Sequence, residues 1–218
     1  MIYIYGLLFI LFMEIERFIF IFNNKKIYVE LASKIVSLFH SLWISYYSVL
    51  FLLDSINEEL YISKFYITYS YLIYDMVLIT YYYKYFINDY IFTFVHHFSF
   101  LIGLYYTLNY KLAAQCLLAE ITNPFLYLGW LLVKINKNTT LIFKLNGISL
   151  YILFFIFRFC NLTYLNYIAF FSNNNNILLI EKISVLFLYI LNANWFRLLT
   201  FKFINLFKNV NKINDKLN

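Results

Sequence analysis

Long runs of apolar residues, separated by short polar segments, dominate the pattern of this chain. A helix needs about 20 mainly apolar residues to cross the roughly 30 Å hydrocarbon layer of a membrane, and the chain has about seven stretches of that length. They cover residues 2–22, 34–53, 62–83, 90–108, 111–133, 146–171 and 177–200. Charged residues between Glu14 and Arg17 interrupt the first stretch. The pattern predicts an all-α fold, a multi-pass transmembrane helix bundle.

The composition excludes a soluble protein. Of the 218 residues, 63% are hydrophobic and only 13% are charged, whereas a soluble domain carries about 25% charged residues. Basic residues are scattered between the apolar runs, which argues against a nucleic-acid partner. Cys116 and Cys160 lie in apolar runs and behave as small hydrophobic residues, so we expect no disulfide and no zinc site. The three histidines are too few for a histidine-rich di-iron site, and we expect no metal.

The distribution of lysine between alternate loops predicts an orientation. The loops on one side of the predicted bundle hold Lys25, Lys26, Lys34, Lys84, Lys134, Lys137, Lys144, Lys202, Lys208, Lys212 and Lys216. The loops on the other side hold Lys64, Lys111 and Lys182. Because positive loops stay in the cytoplasm, we expect an exoplasmic amino terminus and a cytoplasmic carboxyl terminus. The sequon at Asn138 would then face the cytoplasm and carry no glycan.

Several polar side chains lie inside the predicted spans. An ionisable group costs roughly 2.5–3.5 kcal/mol at the centre of a spanning helix, so it usually faces a protein interior or a wet cavity. The groups are His40, Asp75, His96, His97, Glu120, Arg158, Asn192, Asn194 and Arg197. Because six predicted spans contribute them, we expect one shared interior. The alternative is that they hold the helices together without binding anything.

The adjacent histidines His96 and His97 lie in the fourth predicted span. Neighbouring residues on a helix point about 100° apart, so we expect one ring at the site and the other held by a neighbouring group. A buried histidine near a carboxylate can act as a general base, a covalent nucleophile or a hydrogen-bond donor. Structural hydrogen bonding is the alternative to chemistry for this pair.

The fifth predicted span contains a carboxylate next to a break. Glu120 and Asn123 are three residues apart and share a helix face, and Pro124 removes a backbone donor and disfavours helix at Asn123. A kink with a freed carbonyl beside a carboxylate suits a binding site. Alternatively, Glu120 is protonated or paired with Arg158 and has a structural role.

These signals, in this order, resemble those of the TLC domain, which ceramide synthases share with other multi-pass membrane proteins of lipid homeostasis. The elements that carry the resemblance are Lys34–Ser41 with its Ser37-x-x-His40 spacing, Tyr71–Met76 around Asp75, His96-His97, Glu120–Trp130, Phe157-Arg158 and Leu191–Phe196. The resemblance covers about residues 30–205 and is strongest to the TLC-domain-containing proteins of the group usually numbered four.

The resemblance implies a six-helix barrel around a lipid-binding tunnel, an additional amino-terminal span, and residence in the endoplasmic reticulum. It divides the chain into a first span and loop (1–29), a TLC domain (30–205) and a basic cytoplasmic tail (206–218). In the ceramide synthase branch it further implies acyl transfer from acyl-CoA to a long-chain base. Those enzymes carry a second His-Asp element downstream, and Glu120 stands in that part of this chain, with no histidine in the fifth span.

The leading hypothesis is a membrane protein that binds a lipid or acyl chain and acts in membrane lipid homeostasis, including that of sphingolipids. One alternative is an acyltransferase that uses acyl-CoA as a co-substrate and needs no resident cofactor. Another is a cargo receptor of the early secretory pathway. The candidate catalytic residues are His96, His97, Asp75 and Glu120. The candidate lipid-binding residues are His40, Asn123, Arg158, Asn192 and Trp195.

Overall fold

A computed structural model describes residues 25–86, 90–172 and 177–214. The structure is 89% helical and has no strand in its described part, which confirms the predicted all-α class. The helices are α1 (Lys25–Leu52), α2 (Glu58–Tyr81), α3 (Tyr83–Phe86), α4 (Tyr90–Tyr106), α5 (Tyr110–Leu117), α6 (Asn123–Lys134), α7 (Leu141–Phe154), α8 (Asn161–Phe171) and α9 (Leu179–Asn214). The predicted first span, residues 2–22, lies outside the described residues.

Two irregular segments join helices into longer rods. The 3₁₀ segment Leu118–Thr122 connects α5 to α6, and the π-helical segment Phe155–Cys160 connects α7 to α8. Within the described residues, four helical segments are long and apolar enough to cross a membrane: Val29–Leu52, Tyr110–Lys134, Leu141–Phe171 and Leu179–Ile204. The fifth and sixth predicted spans therefore correspond to these two joined rods.

Six main helical rods within the described part of the chain form a closed ring. Helix α1 contacts α2, α2 contacts α4, and α4 contacts α9 along much of its length. Helix α9 then contacts the α7–α8 rod, which contacts the α5–α6 rod, and that rod returns to α1. The ring is the helical membrane bundle that the sequence predicts. Helix α2, with 24 residues, and helix α4, with 17, are not among the four candidate membrane spans, yet they complete the ring.

Helix α1 shows why the ring belongs in a membrane. Its outward residues are apolar and exposed, with Phe39 68% and Tyr46 60% accessible. Its inward face carries small hydroxyl residues, of which Ser41 and Ser48 are fully buried. This arrangement is the reverse of a soluble helix and is favourable only where the surrounding solvent is hydrocarbon. Small inward residues also allow neighbouring helices to approach closely.

The helices begin and end where the sequence supplies caps. Asn57 accepts a hydrogen bond from the backbone N–H of Leu60 at the start of α2, and Asn109 caps α5 in the same way. Helix α9 continues past its predicted end at residue 200 to Asn214, into the segment that the sequence assigns to the basic tail. Hydropathy marks only the part of a helix that crosses lipid, so polar helix beyond the membrane escapes it.

Candidate functional site

Asp75 and His97 meet across the interface of α2 and α4. His97 Nδ1 lies 3.0 Å from Asp75 Oδ2, and the two side chains are only 14% and 6% exposed. Although the two atoms are this close, Nδ1 has no hydrogen-bond partner among the described residues. The contact is therefore a close approach of charge to a ring nitrogen. A small rotation of the ring would convert it into a hydrogen bond that orients the imidazole.

His40 is fixed from two sides on the inner face of α1. Its Nε2 lies 3.1 Å from Thr68 Oγ1, and its ring stacks on that of Tyr71 at 3.8 Å and 12° between the planes. The Tyr71 hydroxyl donates to Ser37 Oγ at 2.7 Å. Sequence reasoning missed Thr68, Tyr71 and Ser37, although the Ser37-x-x-His40 spacing was a signal. Hydroxyl and histidine side chains thus line the α1–α2 interface.

His96 is the more buried of the two adjacent histidines. Its ring lies 5.1 Å from that of Trp195 on α9 and 5.0 Å from that of Phe100, in both cases edge to face. Its Nδ1 has no hydrogen-bond partner among the described residues. His96 therefore packs into an aromatic cluster, while His97 reaches Asp75. Both rings nevertheless line the same cavity, whereas the sequence analysis expects one ring at the site and the other held by a neighbouring group.

Glu120 lies in the 3₁₀ segment before Pro124. Asn123 Nδ2 donates to Glu120 Oε2 at 2.6 Å, and the Asn123 N–H donates to the Glu120 carbonyl. The second bond spans three residues instead of four, because Pro124 has no N–H with which to continue the α-helical ladder. The Glu120 carbonyl, which the sequence analysis expects to be free, therefore accepts a hydrogen bond. Asn123, where proline is expected to disfavour helix, is the first residue of α6 and has helical backbone angles.

Arg158 lies in the π-helical segment opposite Glu120 and is 5% exposed. Its Nε donates to Thr122 Oγ1 at 2.7 Å, and its two terminal nitrogens donate to Asn123 Oδ1 at 2.7 Å and Asn192 Oδ1 at 3.1 Å. It lies 3.9 Å from Glu120 Oε1. Arg158, Asn123 and Asn192 therefore form a supporting network that holds Glu120. Single-turn π segments are frequent at functional sites of helices.

One small cavity, called the central cavity below, lies inside the ring between α1, α2, α4 and the α5–α6 rod. Its lining residues are His40, Thr68, Tyr71, Leu72, His96, His97, Phe100, Leu117 and Glu120. Its volume is about 10 Å³, which is room for about one water molecule. The polar groups of separate helices thus converge, as their cost in lipid predicts. The cavity itself has the size of a polar group and not of an acyl chain.

A second cavity lies next to the first, between α4, α5 and α9. Its volume on the same measure is about 30 Å³, and Phe100 lines both cavities. Most of its other lining residues are apolar or small, among them Gly103, Leu104 and Val185. The Phe100 side chain, 3% exposed, separates a polar chamber from a more apolar one.

The predicted site residues fall into three groups. His40, His96, His97 and Glu120 line the central cavity, and Asp75 contacts His97. Asn123, Arg158 and Asn192 support Glu120, and Trp195 packs on His96. Asn194 and Arg197, also singled out as polar groups in the last span, bond to each other at 3.0 Å on the exposed side of α9.

The comparisons with known proteins agree with this architecture. The sequence profile of the TLC domain matches residues 30–200, and the chain belongs to the TLC domain family. No curated protein and no solved structure matches the sequence significantly. The family, the ring of helices and their lipid-facing apolar surfaces together define an integral membrane protein with a lipid-related function.

Proposed function

We propose that this chain binds a membrane lipid at the central cavity and acts in membrane lipid homeostasis, sphingolipids included, in the endoplasmic reticulum. The observation that carries the proposal is the meeting of polar groups from α1, α2, α4 and the 3₁₀ segment at one cavity inside an apolar ring. Such groups are costly in a bilayer and usually mark a functional site. The proposed orientation places the carboxyl terminus in the cytoplasm, following the lysine distribution.

The size of the cavity restricts what part of a lipid it can hold. One hydroxyl, amine or carbonyl group fits the space of a water molecule, and His97, Glu120 and Thr68 offer it hydrogen-bond partners. The hydrocarbon tail must lie elsewhere, between helices or along their outer faces. Binding of a longer part of the ligand in the interior requires the surrounding side chains to move apart.

Lipid binding is tested by purifying the protein in a mild detergent and identifying bound lipids by native mass spectrometry. We expect the wild-type protein to retain lipid and Asp75→Asn to retain less, because the variant loses the charge that faces His97. Thr80→Val is the matched control, since Thr80 lies on the same helix but is exposed. Wild-type protein without bound lipid, or equal loss in both variants, would contradict the proposal.

The Asp75–His97 contact favours a second candidate function, transfer of an acyl group from acyl-CoA. In this reaction His97 takes a proton from an amine or hydroxyl, whose nitrogen or oxygen bonds to the thioester carbonyl carbon. The C–S bond then breaks, and the proton passes from His97 to the leaving thiolate. Asp75 would stabilise the imidazolium in between. In this scheme Arg158 supports Glu120, because it lies 3.9 Å from Glu120 Oε1 and donates to Asn123, which in turn donates to Glu120.

Substitution of the two histidines distinguishes an acyltransferase from a protein that only binds lipid. We expect His97→Ala to abolish acyl transfer by purified protein supplied with acyl-CoA and a long-chain amine, and His96→Ala to retain part of it, because only His97 contacts a carboxylate. Retained lipid and an unchanged melting temperature show that a variant is folded. Full acyl transfer by the His96→Ala/His97→Ala double variant would contradict the proposal that these histidines carry out the reaction. The cargo-receptor alternative stays a prediction.

A further inference from the structure

The central cavity has the size of one water molecule and polar groups from several helices around it. Its volume of about 10 Å³ is close to the minimum that a bound water needs. His40, Thr68, His97 and Glu120, from four different parts of the ring, line it. An amine or alcohol with a long chain can place its polar group here only if its carbon chain passes between the lining side chains, whereas water brings no chain. The space therefore favours water over a lipid as the nucleophile of a reaction in the cavity.

Two histidine rings of the cavity have nitrogen atoms that need a partner. The Nδ1 atoms of His40 and His96 are buried and have no hydrogen-bond partner among the described residues. Buried polar atoms in folded proteins nearly always have a partner, either in the protein or in ordered water. A water molecule forms about two to four hydrogen bonds and can supply partners to rings that line the same cavity. These nitrogens are a second, independent indication of a water site.

His97 is placed to activate that water. Its Nδ1 lies 3.0 Å from Asp75 Oδ2, so Nε2 is the nitrogen left to accept a proton. The Asp75 carboxylate stabilises the imidazolium that this proton transfer produces. The Glu120 carboxylate, to which Asn123 donates at 2.6 Å, lines the same cavity and can accept the other hydrogen of the water. The imidazole and the carboxylate together can orient a water molecule for attack.

Thr68 can stabilise the charge that develops on a substrate oxygen. His40 Nε2 lies 3.1 Å from Thr68 Oγ1. When His40 donates in this pair, the hydrogen of the Thr68 hydroxyl is left to donate to an oxygen in the cavity. The Thr68 side chain is only 1% exposed, so that hydrogen bond forms where bulk water does not compete with it.

The carbonyl group of a substrate needs space beside the water. Phe100 lines both the central cavity and the second cavity, so rotation of its side chain would join them. The second cavity adds about 30 Å³. Because most of its lining is apolar or small, it suits the carbon atoms next to a carbonyl. The joined space can hold a water molecule and the acyl linkage of a lipid together.

We propose that this chain hydrolyses an acyl ester or amide of a membrane lipid, with water in the central cavity as the nucleophile. The water oxygen bonds to the carbonyl carbon while His97 takes a proton from the water. The bond from that carbon to the leaving oxygen or nitrogen then breaks, and His97 returns the proton to the leaving group, which departs as an alcohol or amine. The other product is a fatty acid. The proposal rests on the proposed function and adds the class of substrate and the reaction.

The test uses purified full-length protein in a mild detergent and water enriched in ¹⁸O. The substrates are monopalmitoylglycerol, an ester, and N-palmitoylsphingosine, an amide, each with a long-chain amine added as a competing acceptor. We expect palmitic acid that carries ¹⁸O from at least one of the two lipids, and the responding lipid identifies the linkage. His97→Gln should lower the rate by about 100-fold or more, the usual range of general acid–base catalysis.

Thr68 provides a second pair of variants in case His97→Gln changes the fold. Thr68→Val removes the hydroxyl at nearly the same volume and should lower the rate by about 100-fold, as loss of a donor to a developing oxyanion does. Thr68→Ser keeps the hydroxyl and should retain most of the rate. The melting temperature and the bound lipid of each variant report its folding independently of hydrolysis.

Two results would overturn hydrolysis and leave lipid binding intact. One is a protein that binds lipid but releases no labelled palmitic acid from either substrate, or that transfers the acyl group to the amine instead. The other is an equal rate for the wild type, His97→Gln and Thr68→Val, which would assign the activity to a contaminant. Wild-type protein that binds no lipid would overturn the proposed function as well.

Discussion

Removal of the buried guanidinium of Arg158 is the perturbation whose effect follows most directly from the structure. Arg158→Met keeps an unbranched side chain of similar length and deletes the charge and every hydrogen-bond donor. Thr122, Asn123 and Asn192 each lose the donor that now bonds to their side-chain oxygen. Glu120, whose side chain is only 12% exposed, loses the guanidinium that lies 3.9 Å from it.

The expected loss is large. Two unit charges at the observed 3.9 Å interact by about 4 kcal/mol at an effective dielectric constant of about 20. Removing one member of a buried pair costs about 3–5 kcal/mol, because the other charge stays buried without compensation. We therefore expect Arg158→Met to lower the free energy of unfolding by about 3–5 kcal/mol. Adding Glu120→Leu should restore at least about 2 kcal/mol of it, since the uncompensated charge is then gone.

The assay is reversible unfolding in mixed micelles, followed by circular dichroism. It is applied to Arg158→Met, to Glu120→Leu and to the variant that carries both changes. Arg197→Met is the matched control: it makes the same change at an exposed arginine on α9 and should cost less than about 1 kcal/mol. A loss below about 1 kcal/mol for Arg158→Met, or a double variant no more stable than Arg158→Met alone, would refute the account of this network.

Three further predictions concern packing and orientation. Phe100→Ala should join the two cavities and destabilise the fold by about 3–5 kcal/mol, measured by the same unfolding assay. The control Phe98→Ala, at an exposed position, should have little effect. Equal effects would contradict the conclusion that Phe100 separates the cavities. Gly103→Ala should have a net cost of about 1 kcal/mol, because a Cβ there would lie 3.1 Å from Ser184 Cβ, and a strain of about 1–3 kcal/mol outweighs the gain of about 1 kcal/mol in helix propensity. Partial recovery on adding Ser184→Gly would verify the contact, and an unchanged melting temperature would exclude it. Asn138 should carry no glycan, because the lysine distribution places its loop in the cytoplasm. A mass shift on deglycosylation that is absent in Asn138→Gln would show that the orientation is the opposite of the predicted one.

The buried polar groups could be predicted from the sequence, because ionisable side chains are costly in lipid and therefore rare in apolar runs. Asp75, His97 and Glu120 stand out in apolar runs, and their residence in a shared interior follows from the cost of exposing them to hydrocarbon. The partners within that interior were not predictable in the same way. Which carboxylate faces His97 depends on the rotation of α2 relative to α4, and hydropathy does not determine that rotation.

Of the two irregular segments, the sequence indicates one and not the other. Pro124 predicts an irregularity before α6, and the structure has a 3₁₀ turn there. The π segment around Arg158 has no comparable signal, because one extra residue in a helical turn leaves the composition unchanged. The contacts of Lys34 and Lys134 with the Trp130 ring also escaped sequence reasoning. Lys34 is more than 90 positions from Trp130 in the sequence, and the two meet only because α1 and α6 are neighbours in the ring.

The central claim is that the polar interior of the ring receives a lipid. Photo-crosslinking with a lipid analogue that carries a carbene precursor next to its polar linkage, followed by peptide mapping, tests it most directly. The account predicts label on residues that line the cavity, such as Leu72 and Leu117, with loss of that label on competition by unmodified lipid. Label confined to outward residues such as Phe39 and Val77, unaffected by the competitor, would show that lipid touches only the outside of the ring.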